Sequence, residues 1–269
     1  MPTSKRLLSA LVFSTTLALT FALATACSPG QPFSSGSTLS SPPLAQLPDD
    51  PDMEGSPRLD AVTPNPDRTV EALSLNEPSF SAPDKAAILA KYKSLDPKKL
   101  VDRNLLAKAL LYWEANPASF PNKNYLSVVN FSIVSHQARF FNINMKTGAV
   151  WAVHVAHGSK SDKNGDGIPE TFSNIDGSNM SSLGVYRASD VYASSKFANA
   201  MRLDGLSKTN SNARARAVVL HSAWYVWESD TIAPGHTYGC LGLAKSVAPT
   251  MIEHVKNGSM IYVGLATSQ

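Results

Sequence analysis

The chain holds two cysteines, and one of them, Cys240, sits where nucleophilic chemistry is expected. It closes the stretch Gly235-His236-Thr237-Tyr238-Gly239-Cys240, nineteen positions after the pair His221-Ser222. A thiol beside an imidazole should lose its proton more easily and attack carbonyl carbon as thiolate. In that arrangement Cys240 is the nucleophile, His221 the base and acid, and Ser222 the third group that orients or polarises the ring. Gly239 lets backbone amides approach a ligand closely, so the N–H groups of Tyr238, Gly239 and Cys240 are candidates for an oxyanion hole. His236, in the same loop, is a candidate substrate contact, with a solvated loop histidine as the plain alternative. His136, His154 and His254 lack partners at metal-ligand spacing and read as structural or surface residues. Trp224, Tyr225 and Trp227 follow the His221 segment and either line a groove or pack.

A second chemistry is suggested by Asp162-Lys163-Asn164-Gly165-Asp166-Gly167. Oxygens at alternate positions with a glycine at the sixth match the first half of a calcium loop. Ser173 stands at the twelfth position, where an acid is expected, and Glu170 at the ninth. Asp162, Asn164 and Asp166 are therefore either ligands of a structural calcium or parts of a polar turn. Thiol acyl transfer itself requires no cofactor.

The elements that must position these residues read as helices first and then mostly strands. Ala, Leu and Ile recur at helical spacing over Asp84–Tyr92 and Asp102–Trp113. From Tyr125 the period shortens, and Leu126–Val134, Arg139–Asn144 and Ala149–Val155 read as strands. The apolar run Ala217-Val218-Val219-Leu220 should deliver His221 to the end of a buried strand. Beyond Cys240, Ser246–Val255 reads as a short helix with Pro249 in its first turn, and Ser259–Val263 as a last strand. The expected architecture is mainly β, a sandwich or barrel with short flanking helices, preceded by a small helical segment.

The first residues address the chain. Lys5 and Arg6 precede an apolar run, Leu7–Ala26, that ends in small residues, the order of a secretory signal. Cys27 follows Leu23-Ala24-Thr25-Ala26, so the segment reads either as a lipoprotein signal with Cys27 as the lipidated first mature residue or as a plain small-x-small cleavage site. Lipidation would leave Cys240 without an intrachain disulfide partner and place the protein in the periplasm or cell envelope, with Ser28 after the cysteine favouring an outer membrane. Pro and Ser dominate from Ser28 to about Pro83, as expected of a tether without a core. Its root-mean-square span would be roughly 40 Å. The expected domains are a signal peptide (1–26), a disordered tether (27–83), a helical segment (84–124) and a catalytic domain (125–269). A net charge of +3 without basic clusters interleaved with aromatics argues against a nucleic-acid partner.

His221-Ser222 followed by Thr237-Tyr238-Gly239-Cys240 resembles the signature of the bacterial L,D-transpeptidase catalytic domain family, in its murein L,D-transpeptidase branch. The similarity extends to His157-Gly158, Phe172-Ser173-Asn174, Ser181-Ser182-Leu183-Gly184 and Leu203-Asp204-Gly205, and covers roughly Val129 to Gly264. The resemblance implies a mostly β fold, an exported location and acyl transfer on peptidoglycan stem peptides. Cys240 would take the acyl group from a diamino acid, release its terminal D-alanine, and pass the acyl group to an amine. The family's commoner Ser-His-Gly-Cys is Thr237-Tyr238-Gly239-Cys240 here, and Gly242 stands where Arg or Asn is often found. Carboxypeptidase or endopeptidase action on the same substrate, or a catalytically inactive peptidoglycan-binding lipoprotein, are the alternatives. A sortase needs an arginine downstream of its cysteine, and none follows Cys240. Papain-like peptidases place Cys before His.

Overall fold

Two capped helices open the folded chain in the computed structural model, which describes residues 75–266. These residues all lie in the second of the two units into which the chain divides, Pro43–Gln269. The expected signal peptide, Cys27 and most of the expected tether lie outside the described residues. Helix α1 (Ala82–Lys91) starts at Ser81, whose hydroxyl accepts from the Asp84 amide. Helix α2 (Arg103–Ala115) starts at Asp102, whose carboxylate accepts from the Leu105 amide at 2.9 Å. Each cap satisfies an amide that lacks an intrahelical partner. The last stretch expected in the tether is folded: Asn76 exchanges hydrogen bonds with the Asn116 side chain, and Leu75 packs beside α2. These two hydrogen bonds and one apolar contact hold a short segment that proline content alone marks as open.

Nine strands follow: β1 (Tyr125–Asn130), β2 (Phe140–Asn144), β3 (Val150–Val153), β4 (Val155–Ala156), β5 (Gly184–Ser194), β6 (Ala198–Gly205), β7 (Val219–Ala223), β8 (Leu241–Ala244) and β9 (Met260–Gly264), with α3 (Ala248–Val255) before the last. They form one sheet in the order β3-β2-β1-β9-β5-β6-β7-β8-β4. The two edge strands, β3 and β4, are consecutive in the chain and separated only by His154, so the sheet curls until its edges nearly meet. The fold is mostly β, a nearly closed barrel of this type rather than a two-sheet sandwich.

Side chains alternate between two cores, as the period of a strand requires. Val129, Phe140, Ile261 and Val263 join Leu220, Leu241 and Leu243 with the α3 residues Met251, Ile252 and Val255. Leu126, Val128, Phe141, Ile143 and Met260 face the other way, onto Leu105, Leu106, Ala109, Leu110 and Trp113 of α2. The helical segment is thus part of the same core as the sheet. Each fully buried leucine or phenylalanine contributes about 1.5–3 kcal/mol, and Leu105→Ala would forfeit one such contribution and leave a cavity.

The sequence expectations differ from the structure in several places, among them the expected Ala149–Val155 strand, which His154 splits into β3 and β4, and β8, which was not expected. β1 stops at Asn130, short of Val134, because the Asn130 side chain accepts from the Ser132 amide and turns the chain. His221 lies in the middle of β7 rather than at its end. The long β5–β6 hairpin was not expected at all; its register shifts between Ala188 and Val191, which breaks the alternation a strand would show.

Candidate active site

The parallel pairing of β7 with β8 sets Leu220 opposite Leu241 and His221 opposite Gly242. That register places Cys240 beside Val219, on the same face of the sheet as His221, two residues further along β7. Cys240 is buried in a small cluster with Val219, Ala200 and Phe197, while the Phe197 ring lies 3.9 Å, centroid to centroid, from the imidazole of His221. Ala200 of β6 pairs directly with His221. Nucleophile and base candidates are therefore brought together by strand pairing and by one aromatic at the tip of the β5–β6 hairpin.

The imidazole of His221 has a defined tautomer. Its Nδ1 lies 2.9 Å from the carbonyl oxygen of Ser222; a carbonyl only accepts, so Nδ1 carries the proton and Nε2 the lone pair. The Ser222 hydroxyl points elsewhere, donating to the Phe197 carbonyl at 3.0 Å. Ser222 thus meets the imidazole through its main-chain carbonyl and not through its hydroxyl.

The thiol also departs from expectation. Burial pushes Cys240 up to about 11, opposed by a backbone hydrogen bond with Val219 and the charge of Arg216. Sγ donates to the Ala217 carbonyl at 3.7 Å. The resting group is a neutral thiol, because desolvation penalises the anion more than its neighbours favour it.

Thr237 shapes the nucleophile loop. Its hydroxyl donates to the Cys240 carbonyl at 2.9 Å and accepts from the Gly239 amide at 3.1 Å. Of the amides expected at an oxyanion hole, that of Gly239 is thus engaged at rest and must exchange partners to serve there. Gly239 adopts φ +117°, and a Cβ added to it would meet the Met180 carbonyl at 2.7 Å. At Gly242, where the family pattern often has Arg or Asn, a Cβ would sit 3.1 Å from the Thr237 methyl, close enough that Thr237 would have to give way slightly, with Ala223 and Ala156 in ordinary contact.

The loop is strapped to the end of β4. The Thr237 amide donates to the His157 carbonyl and the Ser159 amide to the Thr237 carbonyl, at 2.9 and 2.7 Å. His157 in turn accepts at Nδ1 from the buried guanidinium of Arg139, 2.7 Å away, which also donates to the Val155 and Ile133 carbonyls. Burial lowers Arg139 to about 9, with Asp162 opposing. His236 lies against this group, its ring 5.0 Å from that of His157.

Potential ligand atoms of His157, Asp162 and His236 lie within 4.8 Å of one another, as do those of Asp162, Asp166 and Glu170. Hydrogen bonds engage several of these atoms. Arg139 occupies Nδ1 of His157 as a donor, so the neutral ring keeps its proton on Nε2, which faces Asp162 Oδ2 at 3.8 Å. A protonated nitrogen is no metal ligand. Both Asp162 oxygens accept at 2.7 Å from the Gly165 and Gly167 amides, and the Asn164 and Asp166 oxygens accept from the Asp166 and Ile168 amides. These bonds account for the aspartate and asparagine spacing.

Of the aromatics after β7, Tyr225 is core, whereas Trp224 lines a surface cleft of about 400 Å³ with Lys196, Phe197, Ser222, Lys245 and Ile252. Arg139, Arg216 and Thr237 escaped the sequence reading as functional candidates. Only Thr237 carried a usable signal there, as the hydroxyl residue three before the cysteine.

The L,D-transpeptidase catalytic domain family model matches residues 97–263, more than half of the chain. Among solved structures, an L,D-transpeptidase from Mycobacterium smegmatis is 16% identical with a TM-score of 0.33, covering 52% of this chain and 58% of that one. An L,D-transpeptidase from Mycobacterium tuberculosis is 16% identical (TM-score 0.30; 52% and 57%). One from Xylanimonas cellulosilytica is 12% identical (TM-score 0.30; 59% and 69%). The chain thus spans less than two thirds of the length of the first of these. No curated protein matches the chain.

Proposed function

Because the chain belongs to the L,D-transpeptidase catalytic domain family, we propose that it transfers acyl groups on peptidoglycan stem peptides through a thioester on Cys240. The observation that carries this reading is the register of β7 with β8, which sets Cys240, the residue just before β8, against Val219 and on the face of β7 that carries His221. With the thiol neutral at rest, His221 Nε2 removes the proton as sulfur attacks the carbonyl carbon between the diamino acid and the terminal D-alanine. The Nδ1–H bond to the Ser222 carbonyl stabilises the imidazolium that forms. Amides of the Tyr238–Cys240 turn receive the oxyanion. As the tetrahedral intermediate collapses, the C–N bond breaks and Nε2 returns the proton to the departing amine. An acceptor amine then attacks the thioester, His221 takes its proton, and the thiol is restored. His236 flanks the loop as a substrate contact.

A tetrapeptide donor should leave a tripeptide acyl adduct on Cys240 in intact-protein mass spectrometry after acid quench, and a pentapeptide donor should leave none. An adduct from pentapeptide alone, or on another residue, overturns the assignment.

We also propose export and anchoring through a lipidated Cys27, which would place the domain in the cell envelope beside its polymer. Cys27→Ala should move the protein from the membrane to the soluble fraction; an unchanged distribution refutes the anchor.

A further inference from the structure

Arg216 precedes β7 and reaches across the loops that flank the nucleophile. Its Nη1 donates to the Ser173 carbonyl and the Ser182 hydroxyl at 2.7 and 2.5 Å, and its Nη2 to the Met180 carbonyl and the Ser178 hydroxyl at 2.7 and 3.2 Å. All four acceptors are neutral oxygens. Two residues earlier, Arg214 binds the carboxylates of Asp204 and Asp190, as a partly exposed arginine commonly does. Among the described residues, the charge of Arg216 has no such partner in its bonds.

The guanidinium also touches the nucleophile turn. A Cβ on Gly239 would lie 3.1 Å from Arg216 Nη2 and 2.7 Å from the Met180 carbonyl that this nitrogen holds. The close approach that requires glycine before the nucleophile is therefore an approach to Arg216 and the segment it braces. On the other side, the Cys240 thiol donates to the carbonyl of Ala217, the next residue in the chain. That contact suits a thiol and opposes a thiolate, since a carbonyl oxygen repels an anion.

We propose that Arg216 is a positioning residue for the nucleophile, bracing the Ser173–Ser182 segment against Gly239 and holding an unneutralised positive charge toward the sulfur once its proton has gone. This rests on reading Cys240 as the nucleophile. The same charge pulls the Cys240 and Tyr186 protons off more readily, against the dominant effect of burial. A fixed cation in a partly desolvated site favours a nearby anion without reorganising at the moment of reaction.

The test is the pH dependence of Cys240 alkylation by iodoacetamide in the full-length protein, with peptide mass mapping to score Cys240 separately from Cys27. Arg216→Gln should shift the inflection upward by about one unit, slowing alkylation about tenfold at any pH below it. Arg216→Lys, which keeps the charge but loses the fork, should restore most of that shift even if its melting temperature is lower. A purely structural role would lower stability in both variants and leave the inflection in place, and that result overturns the proposal. Should Arg216→Gln fail to fold, the wild-type protein still decides: its ratio of iodoacetate to iodoacetamide reactivity should exceed that of free cysteine, and a ratio at or below it refutes the charge role. Alkylation reports on the thiol whether or not acyl transfer occurs, so a wild-type protein that forms no peptide adduct would refute the transpeptidase reading separately.

Discussion

The Ser222 carbonyl holds His221 Nδ1 at 2.9 Å while the Ser222 hydroxyl turns away to Phe197. The atom that orients the candidate base is therefore a main-chain one, fixed by β7, the strand that carries His221. It survives any substitution of the Ser222 side chain that leaves β7 intact.

Ser222→Ala should accordingly keep turnover within a few-fold of wild type. It loses one hydrogen bond to the Phe197 carbonyl, a cost of about 1 kcal/mol. His221→Ala should lose roughly 10²–10⁴-fold, the usual worth of a general acid–base group. Steady-state rates on a muropeptide donor compare the two, and equal losses would restore the hydroxyl to the mechanism.

Gly239→Ala should damage both fold and thiol reactivity. At φ +117° an L side chain is strained, and its Cβ would press on the Met180 carbonyl at 2.7 Å. A loss of about 1–3 kcal/mol is expected, read by denaturant unfolding, together with slower alkylation of Cys240. Wild-type stability in this variant would mean that the turn has room the structure does not show.

His154 should make stability pH-dependent. It lies between β3 and β4, with Nδ1 3.2 Å from Glu228 and Nε2 3.0 Å from Asp230 and 3.1 Å from the His136 carbonyl. Burial works to lower its pKa, but Glu228, the His136 carbonyl and Asp230 together raise it above the ordinary 6.5. The protonated ring thus latches the loop between β7 and the nucleophile turn. A raised folded-state pKa gives stability that is fully present below about 6.5 and fades as pH rises through the folded value. The stability gap between wild type and Glu228→Gln should be widest in acid and narrow above neutrality. A gap that widens with pH would contradict the latch.

His221 and Cys240 were legible because their chemistry shows in residue type and spacing, and the strands around them because Leu, Val and Phe alternate. The supports were not. Arg216 works through carbonyls and hydroxyls of residues 173–182, and Arg139 through the Val155 and Ile133 carbonyls; long-range bonds to main-chain atoms leave no pattern in sequence. The β5–β6 hairpin was hidden by its bulge. Ser222 stands out in sequence by its place beside His221, but that place does not show that its carbonyl rather than its hydroxyl meets the ring. Burial, which pushes the Cys240 thiol up, is hidden in the same way: an adjacent imidazole is visible in sequence, whereas burial of the thiol is not.

The Asp162–Gly167 loop supplies the last prediction. Both oxygens of Asp162 cap amides of its own turn at 2.7 Å, and the side chain, 1% exposed, also faces His157 Nε2. Asp162→Ala would strand those two amides and remove the negative charge nearest Arg139, so a loss of about 1–3 kcal/mol is expected. Because His157 carries the carbonyl to which the Thr237 amide donates, the damage should reach the nucleophile loop and slow Cys240 alkylation as well. If the turn is held by these bonds, the wild-type melting temperature should be the same with calcium as with chelator, and the loss in Asp162→Ala should be equal in both. A wild-type protein whose melting temperature falls on chelation, with no such fall in Asp162→Ala, would assign the loop to a structural calcium ion instead.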